Sequence, residues 1–388
     1  MFIRRYRGAL CGYANQALSL PHLFVVLLEQ LSISHCRIIE AAELALSPGV
    51  NLICGNNGSG KSCILEAVTI LSRGRSFRSA QIADVIRHGE ESMLIRAKSS
   101  DGDNHFNIGI EKTRHSTRIR VNQQDLHTQA ALSRFLPVSV IDPSSVELLT
   151  GSPALRRAYI DWIAFYLFPE FHKVWQSYRR ILKQRNLCLR VPAYLSALPV
   201  WTDELIKAQI RIQDYRDRSL LVLEPQLNFL ASALLENHCL SVELTTGFPK
   251  GVELSEEAQR TFYAERRDSE IKSARTLSGA HRADLRVMFN QQPAQHTASR
   301  GQLKLIVIAM LLAQSRSIDI GHERKGIIAI DDLPAELDSD NKTRLLSTLR
   351  ELDQQLLLTT THPEIIPLHG SDRMFHVKHG VVTQQCNP

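Results

Sequence analysis

The sequence contains none of the features that mark membrane, secreted or zinc-binding proteins. Its longest apolar runs, residues 23–28 and 305–312, have the length of core segments, whereas a membrane-spanning helix needs about 18 uninterrupted apolar residues. The basic residues 4–7 are followed by no apolar block with a small-residue cleavage site, so a secretory signal peptide is not expected. The seven cysteines include no C-x-x-C pair, and the 15 histidines show no metal-ligand spacing. This usage favours a reduced, cytoplasmic protein without a zinc site.

Aromatic residues are also scarce, at 6% of the chain, and they do not alternate with basic residues. Proteins that stack single-stranded bases depend on such aromatics. If the partner is a nucleic acid, the composition therefore weakly favours contacts with the backbone of a duplex.

The composition that is present is globular. The 388 residues are 44% hydrophobic and 22% charged, which is enough for two domains or for one domain with a large insertion. Lys and Arg number 46 against 40 Asp and Glu, a net charge of +6. That excess suits a polyanionic partner without proving one.

One segment matches the phosphate-binding pattern G-x-x-x-x-G-K-[ST] in full. It reads Gly55-Asn56-Asn57-Gly58-Ser59-Gly60-Lys61-Ser62. An apolar strand over residues 50–54 enters it and an amphipathic helix over residues 61–71 leaves it, which places anion binding at a helix N-terminus. In this pattern Lys61 reaches the β- and γ-phosphates and the Ser62 hydroxyl binds Mg²⁺. The alternative, an ordinary glycine-rich turn, is disfavoured by this strand and helix context.

An acid pair follows a second apolar strand, residues 326–330. In a P-loop ATPase the first acid, Asp331, would hold Mg²⁺ beside Ser62, and the second, Asp332, would polarise the attacking water. Two acids at the end of a strand are also common at ordinary β–α turns, so the upstream P-loop is what favours the functional interpretation.

The long separation between the two motifs predicts an excursion from the nucleotide domain. Short β-type segments occupy residues 93–97, 106–111 and 117–121, and a mainly helical pattern runs from residue 153 to about residue 275. We expect prolines to divide that region into several helices, at Pro169, Pro192, Pro199 and Pro225. Continuous apolar strands between helices at both ends of the chain predict one parallel, doubly covered sheet. The expected organisation is an extension (1–28), an ATPase head, N-terminal part (29–142), a helical arm (143–276) and the C-terminal part of the head (277–388).

Two further segments resemble ABC-type ATPase motifs. Ala335-Glu336-Leu337-Asp338 resembles the D-loop, and Ser299-Arg300-Gly301-Gln302 resembles the signature turn. Taken alone, the second segment is an ordinary helix N-cap. In the ABC family it caps the γ-phosphate bound by a second subunit, through the Ser hydroxyl, the Gly backbone N–H and the helix dipole. The resemblance implies a homodimer that sandwiches ATP.

Together these residues make the sequence resemble the bacterial RecF family of ABC/SMC-type ATPases, from about residue 29 to about residue 383. The resemblance also covers segments outside the nucleotide motifs, namely residues 74–78, Pro143, residues 151–153, Arg156, Arg157, Asp161 and residues 278–284. It departs from the family at Ser144, where an acid is usual after Pro143. It also leaves open whether Thr361 or His362 senses the γ-phosphate.

The resemblance implies an α/β fold, an ABC-type P-loop ATPase head with a mainly helical inserted arm. It implies a cytoplasmic, DNA-binding, weak and DNA-stimulated ATPase with ATP and Mg²⁺ as cofactors, in which Lys61 and Asp332 are catalytic and Ser62 and Asp331 hold the metal. The implied partners are duplex and gapped DNA, RecR and, indirectly, RecO and RecA, in gap repair and the SOS response, and no membrane is involved. Residues 1–27 have no counterpart, and we expect a start near Val25 or Val26.

Basic residues in the head and the arm are the candidates for DNA contact: Arg75, Arg78, Arg87, Arg179, Arg180, Lys183 and Arg185. Scattered surface charge is at least as good an interpretation of each, and Arg75 and Arg78 could contact nucleotide instead. An ABC transporter subunit and an SMC-type scaffold are the rival functions. The first needs closer motifs and the second needs long heptad repeats, neither of which the sequence has. A nucleotide-dependent DNA-binding switch that barely hydrolyses ATP stays open.

Overall fold

The computed structural model describes residues 24–126, 129–236, 238–322, 324–332 and 337–385. Residues 1–23, most of the predicted extension, lie outside this range. The first strand begins at Phe24, so residues 24–28 belong to a sheet rather than to the extension. Contacts divide the described chain into two compact units. One runs up to Ser145 and resumes at Ile308, and the other is Val146–Val307.

The first unit opens with an antiparallel sheet and the helix that follows the P-loop. Its elements up to Ser145 are β1 Phe24–Cys36, β2 Ile39–Ala45, β3 Val50–Cys54, α1 Lys61–Arg73, β4 Ser92–Asp101, β5 Asn104–Thr113, β6 Thr117–Val121, β7 Gln124–Asp125, α2 Gln129–Phe135 and β8 Val138–Ile141. Strands β2, β1, β4, β5, β6 and β7 pair antiparallel in that order. The three β-type segments predicted before residue 121 are confirmed as β4, β5 and β6.

The second unit is mainly helical. Its elements are α3 Glu147–Thr150, α4 Pro153–Leu167, α5 Phe171–Arg190, α6 Leu198–Leu234, β9 Leu240–Leu244, α7 Glu256–Ser273, β10 Leu285–Phe289, β11 Gln292–Pro293 and α8 Ala294–Thr297, and the division falls within α9 Arg300–His322. Strands β11, β10 and β9 form a small sheet that the sequence did not predict. The first division lies close to the predicted boundary at 143. Residues 277–307, predicted to be head, pack in this helical unit, and the division into head and arm stays a prediction.

The prediction for Pro225 is wrong. Pro169, Pro192 and Pro199 lie between helices or in a first turn, but Pro225 lies inside α6, which continues for 37 residues. Its neighbours Leu223, Gln226 and Leu227 are all buried. Packing of this face holds the helix together across a residue that lacks a backbone donor.

The first unit is completed after Ile308 by a second sheet. The remaining elements are β12 Arg324–Lys325, β13 Ile327–Ile330, α10 Ser339–Glu351, β14 Gln355–Thr360, β15 Arg373–Lys378 and β16 Val381–Gln385. The strand order is β16-β15-β3-β14-β13-β8, and all pairs are parallel except β15 with β16. Every residue of β3, β13 and β14 is buried. The predicted buried parallel sheet, assembled from both ends of the chain, is confirmed. Among the described residues, none of the helices combines the length and apolar character needed to cross a membrane.

Candidate functional site

The P-loop follows β3 and ends at the first residue of α1, as its sequence predicts. Gly60 caps α1 with a φ of 116°, a conformation that side chains with a Cβ rarely adopt. At Gly55, with a φ of 153°, an added Cβ would lie 2.3 Å from the Val377 carbonyl oxygen. The loop therefore needs glycine at both of its ends. Asn56, Asn57 and Gly58, at its tip, are exposed.

Two polar side chains of the loop are buried against it. The Lys61 side chain donates to the carbonyl oxygens of Gly55, at 2.8 Å, and Asn56, at 3.1 Å. Burial lowers the pKa of Lys61, and the charges of Asp332 and Asp331 act in the opposite sense. The buried Ser59 hydroxyl has no hydrogen-bond partner among the described residues. An ammonium group bonded only to carbonyls and an orphaned hydroxyl both suit phosphate oxygens as further partners.

The acid pair meets the P-loop at the carboxyl edge of the parallel sheet. Ser62 Oγ donates to Asp331 Oδ1 at 2.8 Å, although the two residues are 269 positions apart. Asp331 is 8% exposed, and burial raises the pKa of its carboxyl, while hydrogen bonds from Thr359 and Ser62 act to lower it. The structure thus brings both predicted magnesium ligands together.

Thr359, on β14, is a residue of this site that the sequence did not identify. Its Oγ1 donates to Asp331 Oδ1 at 2.8 Å and accepts from the Asp332 backbone N–H at 2.6 Å. Asp332 has a φ of 54°, a conformation that is uncommon outside glycine. One hydroxyl therefore ties both acids, and it contacts the backbone where that backbone is strained.

The oxygen donors fit a magnesium ion. A carboxylate and a hydroxyl side by side at a phosphate-binding loop are the ligand types that Mg²⁺ takes from proteins, with phosphate and water completing its shell. No group of three or more His, Cys, Asp or Glu that could hold a metal occurs in the part of the chain that the structure describes. A metal here would depend on the nucleotide for several of its ligands.

The predicted signature turn forms the start of α9. The Gln302 N–H donates to Ser299 Oγ at 3.3 Å, and the Ser299 N–H donates to Gln302 Oε1 at 2.9 Å, a reciprocal capping box. Ser299 and Arg300 are exposed, and a Cβ added at Gly301 would meet nothing within 4 Å. The surface of the turn is thus open. The turn lies in the helical unit and the P-loop in the other unit, so its contact with a nucleotide stays a prediction.

The other predicted motifs lie partly outside the described residues. Of the proposed D-loop, Ala335 and Glu336 are outside them, and Asp338 caps α10 by accepting from the Asn341 N–H at 2.8 Å. His362 Nδ1 lies 3.1 Å from Glu364 Oε1 in an exposed turn. The choice between Thr361 and His362 as γ-phosphate sensor stays open.

One DNA-contact candidate is wrong. Arg185 is 1% exposed, and its guanidinium donates to Glu270 Oε2 at 2.6 Å and to the hydroxyls of Thr202 and Thr276. Arg185 therefore forms a buried ion pair with Glu270 and cannot reach a nucleic acid. The remaining candidates are exposed or half-buried: Arg75, Arg78, Arg87, Arg179, Arg180 and Lys183.

Comparisons with known proteins place this site in a family. The family model described as "RecF/RecN/SMC N terminal domain" matches residues 27–384. A DNA replication and repair protein RecF of Shewanella amazonensis is 37% identical over 362 residues, which cover 92% of this chain and 99% of that protein. A RecF of Shewanella baltica strain OS155 is 34% identical over 360 residues, with the same coverages.

Solved structures show the same fold. A structure of the recombination mediator protein RecF-ATP in the RecFOR pathway superimposes with a TM-score of 0.82 at 22% identity, covering 95% of this chain and all of that one. An Smc head domain from Pyrococcus furiosus, bound to the C-terminal domain of ScpA, gives 0.58 at 15% identity, covering 93% and 96%. The fold is therefore the α/β fold of ABC-type ATPase heads, with a mainly helical region between its two parts.

Proposed function

The chain belongs to the RecF family of DNA replication and repair proteins, and on that premise we propose that it is an ATP-dependent DNA-binding protein with a slow, DNA-stimulated ATPase activity. The observation that carries the proposal is the hydrogen bond from Ser62 to Asp331, which joins two motifs from opposite ends of the chain. A structural turn has no need of it, whereas a magnesium nucleotide requires both groups together.

Each residue of the site has a part in this proposal. The backbone N–H groups of Gly55-Asn56-Asn57-Gly58-Ser59-Gly60 face the phosphates, and Lys61 moves from its carbonyl partners to the β- and γ-phosphates. Ser62 and Asp331 would hold Mg²⁺, and the ion would supply positive charge to neutralise the phosphate oxygens. Asp332 orients and polarises the attacking water.

A second copy of the chain completes the site. The open turn of Ser299, Arg300, Gly301 and Gln302 offers a hydroxyl, the first backbone N–H groups of α9 and a helix N-terminus, which suit the γ-phosphate held by a partner. ATP binding would then close a homodimer on DNA, and hydrolysis would reopen it.

The biological role follows from family membership. The chain would bind duplex and gapped DNA, act with RecR and, through it, with RecO, and help to place RecA at single-strand gaps. That role serves gap repair and SOS induction. The structural similarity to RecF-ATP, a recombination mediator protein of the RecFOR pathway, supports this proposal.

Sedimentation with and without a non-hydrolysable ATP analogue and Mg²⁺ tests the proposal. We expect a monomer to become a dimer in wild type, and Ser299→Arg, which fills the open turn, to bind the analogue and stay monomeric. Wild type that binds the analogue but remains monomeric would contradict the signature-turn assignment. Steady-state hydrolysis with and without duplex DNA then separates a DNA-stimulated ATPase from a switch that barely hydrolyses ATP.

A further inference from the structure

A lysine occupies an inward-facing position of the antiparallel sheet. On β5, Ile108, Ile110 and Lys112 are all buried and alternate with residues that are half-buried or exposed. Lys112 lies opposite Met93 of β4 and Thr117 of β6, and it is 5% exposed. A strand whose inward positions are otherwise apolar breaks its own pattern here, which is expected at functional positions rather than in a plain core.

Among the residues that the structure describes, the charge of Lys112 has no partner of opposite sign. Its ammonium donates to Thr117 Oγ1, at 2.9 Å, and burial lowers the pKa of Lys112, with no described carboxylate acting to raise it. Burying an unpaired ammonium is costly. The buried charge therefore has a free-energy cost in the folded state, and a bound anion would reduce that cost.

The ammonium borders a cleft of about 600 Å³ at the C-terminal end of α1. Of the described residues that line this cleft, four are cationic and none is a carboxylate; the cationic ones are Arg73, Arg75, Arg78 and Lys112. Arg73 donates to the Val138 carbonyl, whereas the guanidinium groups of Arg75 and Arg78 form no hydrogen bond or ion pair with the described residues. The charge of Arg78 nevertheless acts to lower the pKa of Asp331. Two carboxylates contact the loop: Asp84 accepts from Ser79 Oγ and Glu66 accepts from Ser76 Oγ. Neither is part of the lining. The cleft thus has a strongly positive potential.

The loop that carries Arg75 and Arg78 is fixed in place. The hydroxyl of Ser76 donates to the buried Glu66 and accepts from the backbone N–H of Arg78. Glu66 in turn is held by two hydrogen bonds from Arg37, each 2.8 Å long. The backbone that carries the two arginines is therefore ordered before a ligand binds, which reduces the entropy lost on binding.

We propose that this cleft is a phosphate-binding site, separate from the P-loop, in which Lys112 contacts the anion from below and Arg75 and Arg78 from its rim. The phosphate is either one of a DNA backbone or one of a free nucleotide or inorganic phosphate. The DNA alternative rests on the proposed function, while the free-phosphate alternative does not.

The test compares wild type with Lys112→Met, which keeps the length of the side chain and removes its charge. Lys112→Arg, which keeps the charge, is the rescue variant, and Lys98→Met, on the exposed face of β4, is the matched control. Binding to a labelled duplex of random sequence is measured over a range of salt concentrations. We expect Lys112→Met to bind on the order of fivefold more weakly, with a salt dependence reduced by about one released counterion. We expect Lys112→Arg and Lys98→Met to stay near wild type.

A second arm addresses free phosphate. In a Lys61→Ala background, which disables the P-loop, inorganic phosphate should raise the melting temperature, and the added Lys112→Met should abolish that rise. A DNA effect assigns the cleft to the nucleic-acid backbone, and a phosphate effect alone assigns it to free phosphate.

Wild type that binds no DNA would overturn the proposed function, and the phosphate arm would still decide the cleft. Folded Lys112→Met that matches wild type in both arms would overturn the inference. If Lys112→Met does not fold, Arg75→Gln, an exposed rim substitution, is read in the same way.

Discussion

At the scale of single residues, the site depends on hydroxyl groups as much as on charges. Ser62 and Thr359 both donate to one oxygen of Asp331, and Thr359 alone also reaches the backbone of Asp332. The sequence predicts the first contact, because a P-loop serine and a strand-end acid meet in any such sheet. It could not predict the second, because only the register that pairs Ile330 with Leu358 places Thr359 beside Asp331.

Replacing Thr359 with Val removes this hydroxyl and keeps the shape of the side chain. We expect the ATP turnover number to fall at least tenfold while ATP affinity changes less than threefold, because Asp332 loses its fixed position and the P-loop is intact. Thr359→Ser should restore turnover. Steady-state hydrolysis and equilibrium nucleotide binding measure the two quantities. Equal losses in affinity and turnover would assign Thr359 to binding instead.

His281, in the segment 278–284 that the sequence singled out, is held as a neutral ring. The Tyr178 hydroxyl accepts from the His281 backbone N–H and lies 3.0 Å from Nδ1, and Nε2 lies 3.1 Å from the Thr276 carbonyl. Burial lowers the pKa of His281 to about 4. Its ordinary value is 6.5, so the unfolded chain binds a proton more readily than the folded chain between these pH values.

Stability should therefore decrease as pH falls through that window. His281 should contribute a loss of up to about 3 kcal/mol in the free energy of unfolding between pH 6.5 and pH 4. Urea denaturation at a series of pH values measures it, and His281→Gln should lose less stability than wild type over the same range. Parallel pH profiles for the two proteins would show that His281 does not titrate in this way.

At the scale of elements, the strongest sequence patterns were reliable. The buried strand beside the P-loop has its predicted bounds, and the strand before the acid pair begins one residue later than predicted. The failures have identifiable causes. Arg185 follows Tyr178 and Ile181 and precedes Cys188 at three- and four-residue spacing, so it lies on the buried stripe of α5. That spacing could have indicated from the sequence that Arg185 is buried. The extent of α6 was not predictable, because packing rather than local propensity carries it past Pro225.

Pro225 should therefore lower the free energy of unfolding relative to a residue that has a backbone N–H. Pro225→Ala restores a backbone donor in the interior of α6, and we expect the free energy of unfolding to rise by about 2 kcal/mol. Pro199→Ala is the matched control in the same helix. Because Pro199 lies in the first turn, where a backbone N–H has no partner within the helix, that change should be within about 0.5 kcal/mol of zero. Urea denaturation compares them, and a destabilised Pro225→Ala would mean that the packing requires a proline-induced bend.

At the scale of the whole molecule, the chain leaves its nucleotide-binding unit after Ser145 and returns at Ile308. The central strands of one sheet therefore come from distant parts of the sequence. Strand β14 pairs with β3 on one side and β13 on the other. A nucleotide that contacts both the P-loop and the acid pair would stabilise the contacts between these two motifs, which are far apart in the sequence and therefore costly in chain entropy to bring together.

Magnesium-ATP should accordingly protect three segments together, one from the N-terminal part of the chain and two from its C-terminal part. At about 100 times the dissociation constant, ligand binding stabilises the folded state by about 2.7 kcal/mol. We expect slower amide hydrogen exchange in residues 50–73, 327–332 and 355–360 at once, because the ligand contacts the strand ends that these segments share. Hydrogen-exchange mass spectrometry measures this, with Lys61→Ala as the control that should show little protection. Protection of residues 50–73 alone would mean that the nucleotide is held without the acid pair, and the role assigned to Asp331 would be wrong.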